Sequence, residues 1–243
     1  MRFIHKIFFA AAFLHIIFAD RQETLDVVEK LRDAQIEFDT FRDYVSKEVT
    51  AAKQNSTQIL VQFHQELVQV KELYLQQSFW AEEEILYQLN SQSLYPPIYV
   101  DNACLGYARV LVDDNMKVAG VEFTNCVLDV DALIREEIVK ILEDLQQDAT
   151  VADLNVLLAM DRTNILTRPD DLIPKIADKL SVLEQLIHKI AQELNVAVDQ
   201  FEARLGAIAK VYRVCLVEND NILKAALDNI RSQLLQICKG RII

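Results

Sequence analysis

The chain has 243 residues, 51% of them apolar and 26% charged, enough to bury a core as one large or two small domains. Its 4 glycines are too far apart to write a GxGxxG, Walker A or GxSxG loop, so phosphate cradles and nucleophile elbows are excluded. With only 4 prolines as well, breakers are too few for a sandwich, a barrel or a doubly wound sheet, and the chain is expected to be all-α.

Met1 to Lys6 carries Arg2 and Lys6 with no acid. An apolar run from Ile7 to Phe18 follows, and Ala19 precedes the first acid at Asp20. This predicts a secretory signal peptide over 1–19. The run falls short of the roughly 20 residues that span a bilayer, and acids and bases interrupt every later stretch. The chain is therefore expected to be secreted, without stable membrane insertion. The net charge of −12 becomes more negative once Arg2 and Lys6 are removed, which disfavours nucleic acid and anionic lipid as partners.

Residues 20–92 are expected to form a long amphipathic helix. Apolar or small residues recur in steps of three and four at Phe38, Phe41, Val45, Val49, Ala52, Ser56, Ile59, Phe63, Leu67, Val70 and Tyr74. Asn55-Ser56-Thr57 within it is a glycosylation sequon, usable if exposed, and Ser56 falls on the stripe. Residues 93–101, with Pro96-Pro97, read as a linker.

The remaining stretch, 102–243, reads as a four-cysteine helical hairpin. Asp101 or Asn102 can cap its first helix, whose apolar series runs Leu105, Val112, Met116, Ala119, Phe123, Val127, Val130, Ile134, Ile138, Ile141, Leu145, Ala152, Val156 and Ala159. Gly106, Gly120 and Thr150 are its weak points, and Asp113-Asp114-Asn115 could turn the chain. Arg162 to Asp171 reads as a tight connection before a helix that tolerates Pro174 in its first turn. A heptad series follows at Ile173, Leu180, Ile187, Leu194, Phe201, Ile208, Cys215 and Ile222. Ile176, Leu183, Ile190, Ala197 and Val211 fill the second position, with Arg204 as the exception. A bend can form at Glu218-Asn219-Asp220-Asn221. The whole is expected to be an elongated antiparallel bundle of long amphipathic helices, coiled-coil-like and stapled by disulfides.

An even number of cysteines in a secreted chain argues for two disulfides. Cys104 and Cys126 would lie about 33 Å apart along one helix, and Cys215 and Cys238 about as far. Facing residues of antiparallel helices share a constant sum of residue numbers. The pairs Cys104–Cys238 and Cys126–Cys215 have the same sum to within one, and its midpoint falls near Asp171, at the expected turn. The local pairing, which needs a helix reversal near Asn115 and a second one further on, remains open.

No catalytic constellation is legible. The mature chain has only His64 and His188, each on a long helix without a nucleophile loop. Glu184 and His188 share a helical face but fall outside the apolar register, and Glu82-Glu83-Glu84 and Asp113-Asp114 lack the pattern of a calcium loop. Neither enzyme activity, cofactor nor metal is expected.

Ala103-Cys104-Leu105, Cys126, Cys215-Leu216 and Cys238, in an acidic helix-rich secreted chain, resemble the insect domain family named after the tsetse fly EP protein. The glutamate-proline repeats of the founding protein are absent here. The resemblance implies a secreted insect protein of gut or body fluid with no established catalytic residues. Two functional classes follow. One is an extracellular interaction or structural protein that binds a protein or glycan partner, whose copies could also associate through their helix stripes. The other is an amphipathic-helix lipid carrier resembling apolipophorins.

Overall fold

The computed structural model describes residues 2–94, 101–146, 168 and 171–238, with the side chains of the first range from 22 to 92. Among the described residues there are three long helices, α1 (Arg2–Leu94), α2 (Asn102–Asp144) and α3 (Leu172–Gln236), which pack against one another. The side chains of the expected signal segment, Pro96-Pro97, the series from Ala152 to Ala159 and most of the expected turn from Arg162 lie outside the described residues. Of that turn, Arg168 pairs with Asp171 at 3.8 Å, one residue before α3 begins.

Asp101 caps α2. Its carboxylate accepts from the Ala103 N–H at 2.9 Å, satisfying a donor that the first helical turn leaves open, and its carbonyl accepts from Leu105. The helix continues through Gly106, Asp113-Asp114-Asn115 and Gly120, and α3 continues through Glu218-Asn219-Asp220-Asn221, so neither the turn nor the bend that these residues could make is formed. Local signals this weak lose to a helix whose inner face is buried along its length. A Cβ added at Gly106, Gly120 or Gly206 would meet nothing within 4 Å. Each glycine to alanine change is therefore expected to stabilise the protein by roughly 0.5 to 1 kcal/mol through the unfolded chain's lost freedom, read as a rise in denaturant midpoint.

The chain divides into two compact units, Met1–Asn55 with Leu142–Asp199 and Ser56–Ile141 with Gln200–Ile243. In the first unit α1 buries Val27, Ala34, Phe38, Phe41, Val45 and Ala52, while α3 buries Leu172, Ile176, Leu183, Ile190, Leu194, Ala197 and Val198. A groove of about 290 Å³ lies here between Phe41 and Tyr44 of α1 and Leu183 and Ile187 of α3, with Glu37 and Glu184 also lining it. In the second unit all three helices contribute. There α1 and α3 run parallel, since Glu66 meets Arg213 and, further along both helices, Glu84 meets Arg231. The disulfides show that α2 runs antiparallel to α3.

The buried repeat corrects the heptad register expected for α3. Ile222 and Val211 are 66% and 56% exposed, and Ile173, Leu180, Ile187 and Cys215 are only half-buried. The side chains that fill the core recur every eleven residues instead: Leu172, Leu183, Leu194, Leu205, Leu216, Leu227 and Cys238, none more than 4% exposed. Phe201, Tyr212, Leu223 and Leu234 form a second such row beside it. The other helices follow suit, with Ala108, Ala119, Val130 and Ile141 and then Val112, Phe123, Ile134 and Leu145 in α2 and its C-terminal turn, and Phe41, Ala52, Phe63 and Ile85 in α1. An eleven-residue repeat is about 3.67 residues per turn, close to the helix's own 3.6, so a stripe of this period stays on one face where a seven-residue stripe drifts away.

Candidate functional site

The four cysteines all belong to the second unit, and they are its most distinctive chemistry. Cys104 is bonded to Cys238 and Cys126 to Cys215, with Cα separations of 5.6 and 5.9 Å, inside the range a disulfide requires. These are the pairs that share a residue-number sum. The unbroken course of α2 through Asn115 and of α3 through Asn219 keeps the members of each local pair far apart.

Around the inner staple the core is partly polar. The Asn219 side-chain amide donates to Sγ of Cys126 at 3.2 Å and of Cys215 at 3.7 Å, which places a hydrogen-bonding group against otherwise inert sulfur. Its neighbour Asp220 is 4% exposed; one carboxylate oxygen accepts from Lys224 Nζ at 2.6 Å and the other has no hydrogen-bond partner. Arg204, the polar exception in the sequence register, pairs with Glu137 of α2 across the helix interface, both side chains about a fifth exposed. The guanidinium stands at a position of the apolar register because a carboxylate lies opposite it, and a largely buried charge is tolerated only when so paired. Two further arginines reach α1, Arg213 to Glu66 and Arg231 to Glu84 at 3.5 Å, and Arg109 of α2 donates to Asn90 of α1 at 2.8 Å. Each pair of helices in this unit is thus joined by at least one arginine.

Tyr212 lies in the second eleven-residue row and is 2% exposed. Burial raises its phenol above the ordinary value of 10.0, because the phenolate loses more solvation than the neutral hydroxyl. The unfolded phenol ionises first, so this contribution to stability is complete below about pH 10 and is lost as pH climbs through the higher folded value. Tyr212→Phe is expected to make the alkaline fall in stability shallower, in denaturant midpoints compared at pH 9 and pH 11.

The other residues weighed from the sequence do not gather. His64 is exposed on α1, with its ring Nδ1 2.8 Å from the Leu60 carbonyl oxygen, and His188 is exposed on α3 in the other unit. Glu184 lines the groove of the first unit. Among the described residues no group of three or more His, Cys, Asp or Glu could hold a metal ion, and no helix is long and apolar enough to cross a membrane. Asn55 is exposed while Ser56 beside it is buried. No family model matches the chain, and neither a curated protein nor a solved structure is detectably similar to it.

Proposed function

We propose that the protein is a secreted, non-enzymatic helical interaction or structural protein, held in one shape by its disulfides and presenting its outer helix faces to an extracellular protein or glycan. The observation that carries this reading is the pair of staples joining α2 to α3, which suits an oxidising compartment and opposes the separation of these two helices. The cysteine spacing supports kinship with the secreted insect family named after the tsetse fly EP protein, and the exposed Asn55 supports glycosylation of its sequon.

The lipid-carrier reading differs in a measurable way. The buried rows of α2 and α3 face one another and are tied at two levels, so the broad apolar faces that spread on a bilayer stay closed and only spaced single side chains of the outer faces can meet lipid. The oxidised protein is expected to stay at the bottom of a flotation gradient with neutral phosphatidylcholine vesicles, and any lipid affinity should emerge only after reduction. Equal flotation of the oxidised and reduced forms would replace this reading with the lipid carrier.

A further inference from the structure

Helix α2 carries a second apolar stripe on the side opposite its core face. Val110, Val121, Leu128 and Val139 are 54 to 60% exposed, and all lie within the second unit. At 100° per residue these four fall within a narrow sector, about half a turn away from the buried row of Val112, Ala119, Cys126 and Val130. A surface helix ordinarily keeps that outer face polar, whereas here large apolar side chains recur along it, with Asp114 and Lys117 and then Ala132 and Arg135 between them.

The stripe is symmetric about the Thr124–Asn125 peptide. Val121 and Leu128 stand equally far from that point on either side, as do Val110 and Val139. The same operation relates Asp114 to Arg135, opposite charges, and Lys117 to Ala132, a long side chain and a small one. Under a twofold axis through this point, each of the side chains just named meets at its own level an apolar, oppositely charged or smaller residue of an identical, antiparallel helix, while at the margins Asp113 falls opposite Glu136, a like-charge pair that weakens the contact. That self-complementarity is what an isologous interface demands, in which residue i meets j and j meets i.

We propose that this face of α2 is a homodimer interface and that its occupant is α2 of a second copy, antiparallel and centred on Thr124 and Asn125. Val121 packs on Leu128 of the other copy, Val110 on Val139, and Asp114 pairs with Arg135, which within its own helix already meets Asp131 at 2.6 Å. The stripe is about 44 Å long and about 10 Å wide, so a dimer buries on the order of 900 Å² in total. That lies below the size of standard stable interfaces, so the association is expected to be weak and reversible. The proposal deepens the interaction reading by naming a partner, and it can fail while that reading stands.

Sedimentation equilibrium of the purified, oxidised protein tests it over roughly 1 to 300 μM. The expected result is a monomer–dimer equilibrium that Val121→Glu and Leu128→Glu each weaken at least tenfold with unchanged far-UV circular dichroism, since both side chains are exposed. Asp114→Arg should weaken it several-fold, and Asp114→Arg combined with Arg135→Asp should restore it. A monomer at all concentrations would overturn the proposal, as would a dimer indifferent to Val121→Glu and Leu128→Glu or one that the double reversal fails to rescue. None of these outcomes depends on the vesicle measurement.

Discussion

Replacing Cys126 and Cys215 together by alanine is expected to lower stability by roughly 4 to 5 kcal/mol. The bond closes a loop of 89 residues, and opening it returns that closure entropy to the unfolded chain. Two local losses add to this: Cys126 is buried, so a small void opens, and Asn219 loses its sulfur acceptors. The Cys104–Cys238 bond spans 134 residues but encloses the inner one, so with the inner bond closed its effective loop is only the two flanking segments. The inner bond, with the outer one closed, likewise only subdivides an existing ring, so the double alanine variant of the outer pair should lose a comparable amount. Guanidinium unfolding of both variants checks this, with a steeper dependence on denaturant expected as the unfolded chain expands. A loss under about 1 kcal/mol for the inner pair would show that the bond does not constrain the unfolded state.

The second large effect separates the two registers of α3. Leu216→Ala removes a fully buried side chain from the eleven-residue row and is expected to cost about 3 kcal/mol. Val211→Ala and Ile222→Ala change side chains that a heptad would put in the core but that lie 56% and 66% exposed, and each should stay within about 0.5 kcal/mol. If Ile222→Ala proved as costly as Leu216→Ala, the eleven-residue core would be wrong.

That contrast also marks where sequence pattern stops being informative. Over about four turns one heptad row stays in the core, since Ile176, Leu183 and Ile190 are buried, while Ile173, Leu180 and Ile187 of the other row are only half-buried. The periods part outright beyond Arg204, and there the outer face carries apolar side chains too, so composition could not say which of Cys215 and Leu216 faces inward. In α2 the expected series from Leu105 to Leu145 matches residues that are buried or half-buried throughout, because its irregular steps follow the helix's own period rather than a strict heptad. Helix itself was legible because breakers are scarce, and the cysteine sum was legible because antiparallel pairing is arithmetic. The Arg204–Glu137 and Arg213–Glu66 pairs were not: their members are 67 and 147 residues apart, and no local spacing encodes them. Asp220 resembled a loop residue in the run Glu218 to Asn221, yet the helix carries it into the core, where Lys224 one turn later meets its charge.

The unbroken helices also act as rulers during oxidation. In an unfolded chain the shortest loops close most readily, so Cys104 would find Cys126, and Cys215 would find Cys238, before either met its native partner. Once α2 and α3 have formed, each of those neighbours is held about 33 Å away at a rise of about 1.5 Å per residue, far beyond the span of a disulfide. Where the helices form before the bonds, the fastest covalent errors become inaccessible ones. Sulfur chemistry is left to record a topology that the backbone has already chosen.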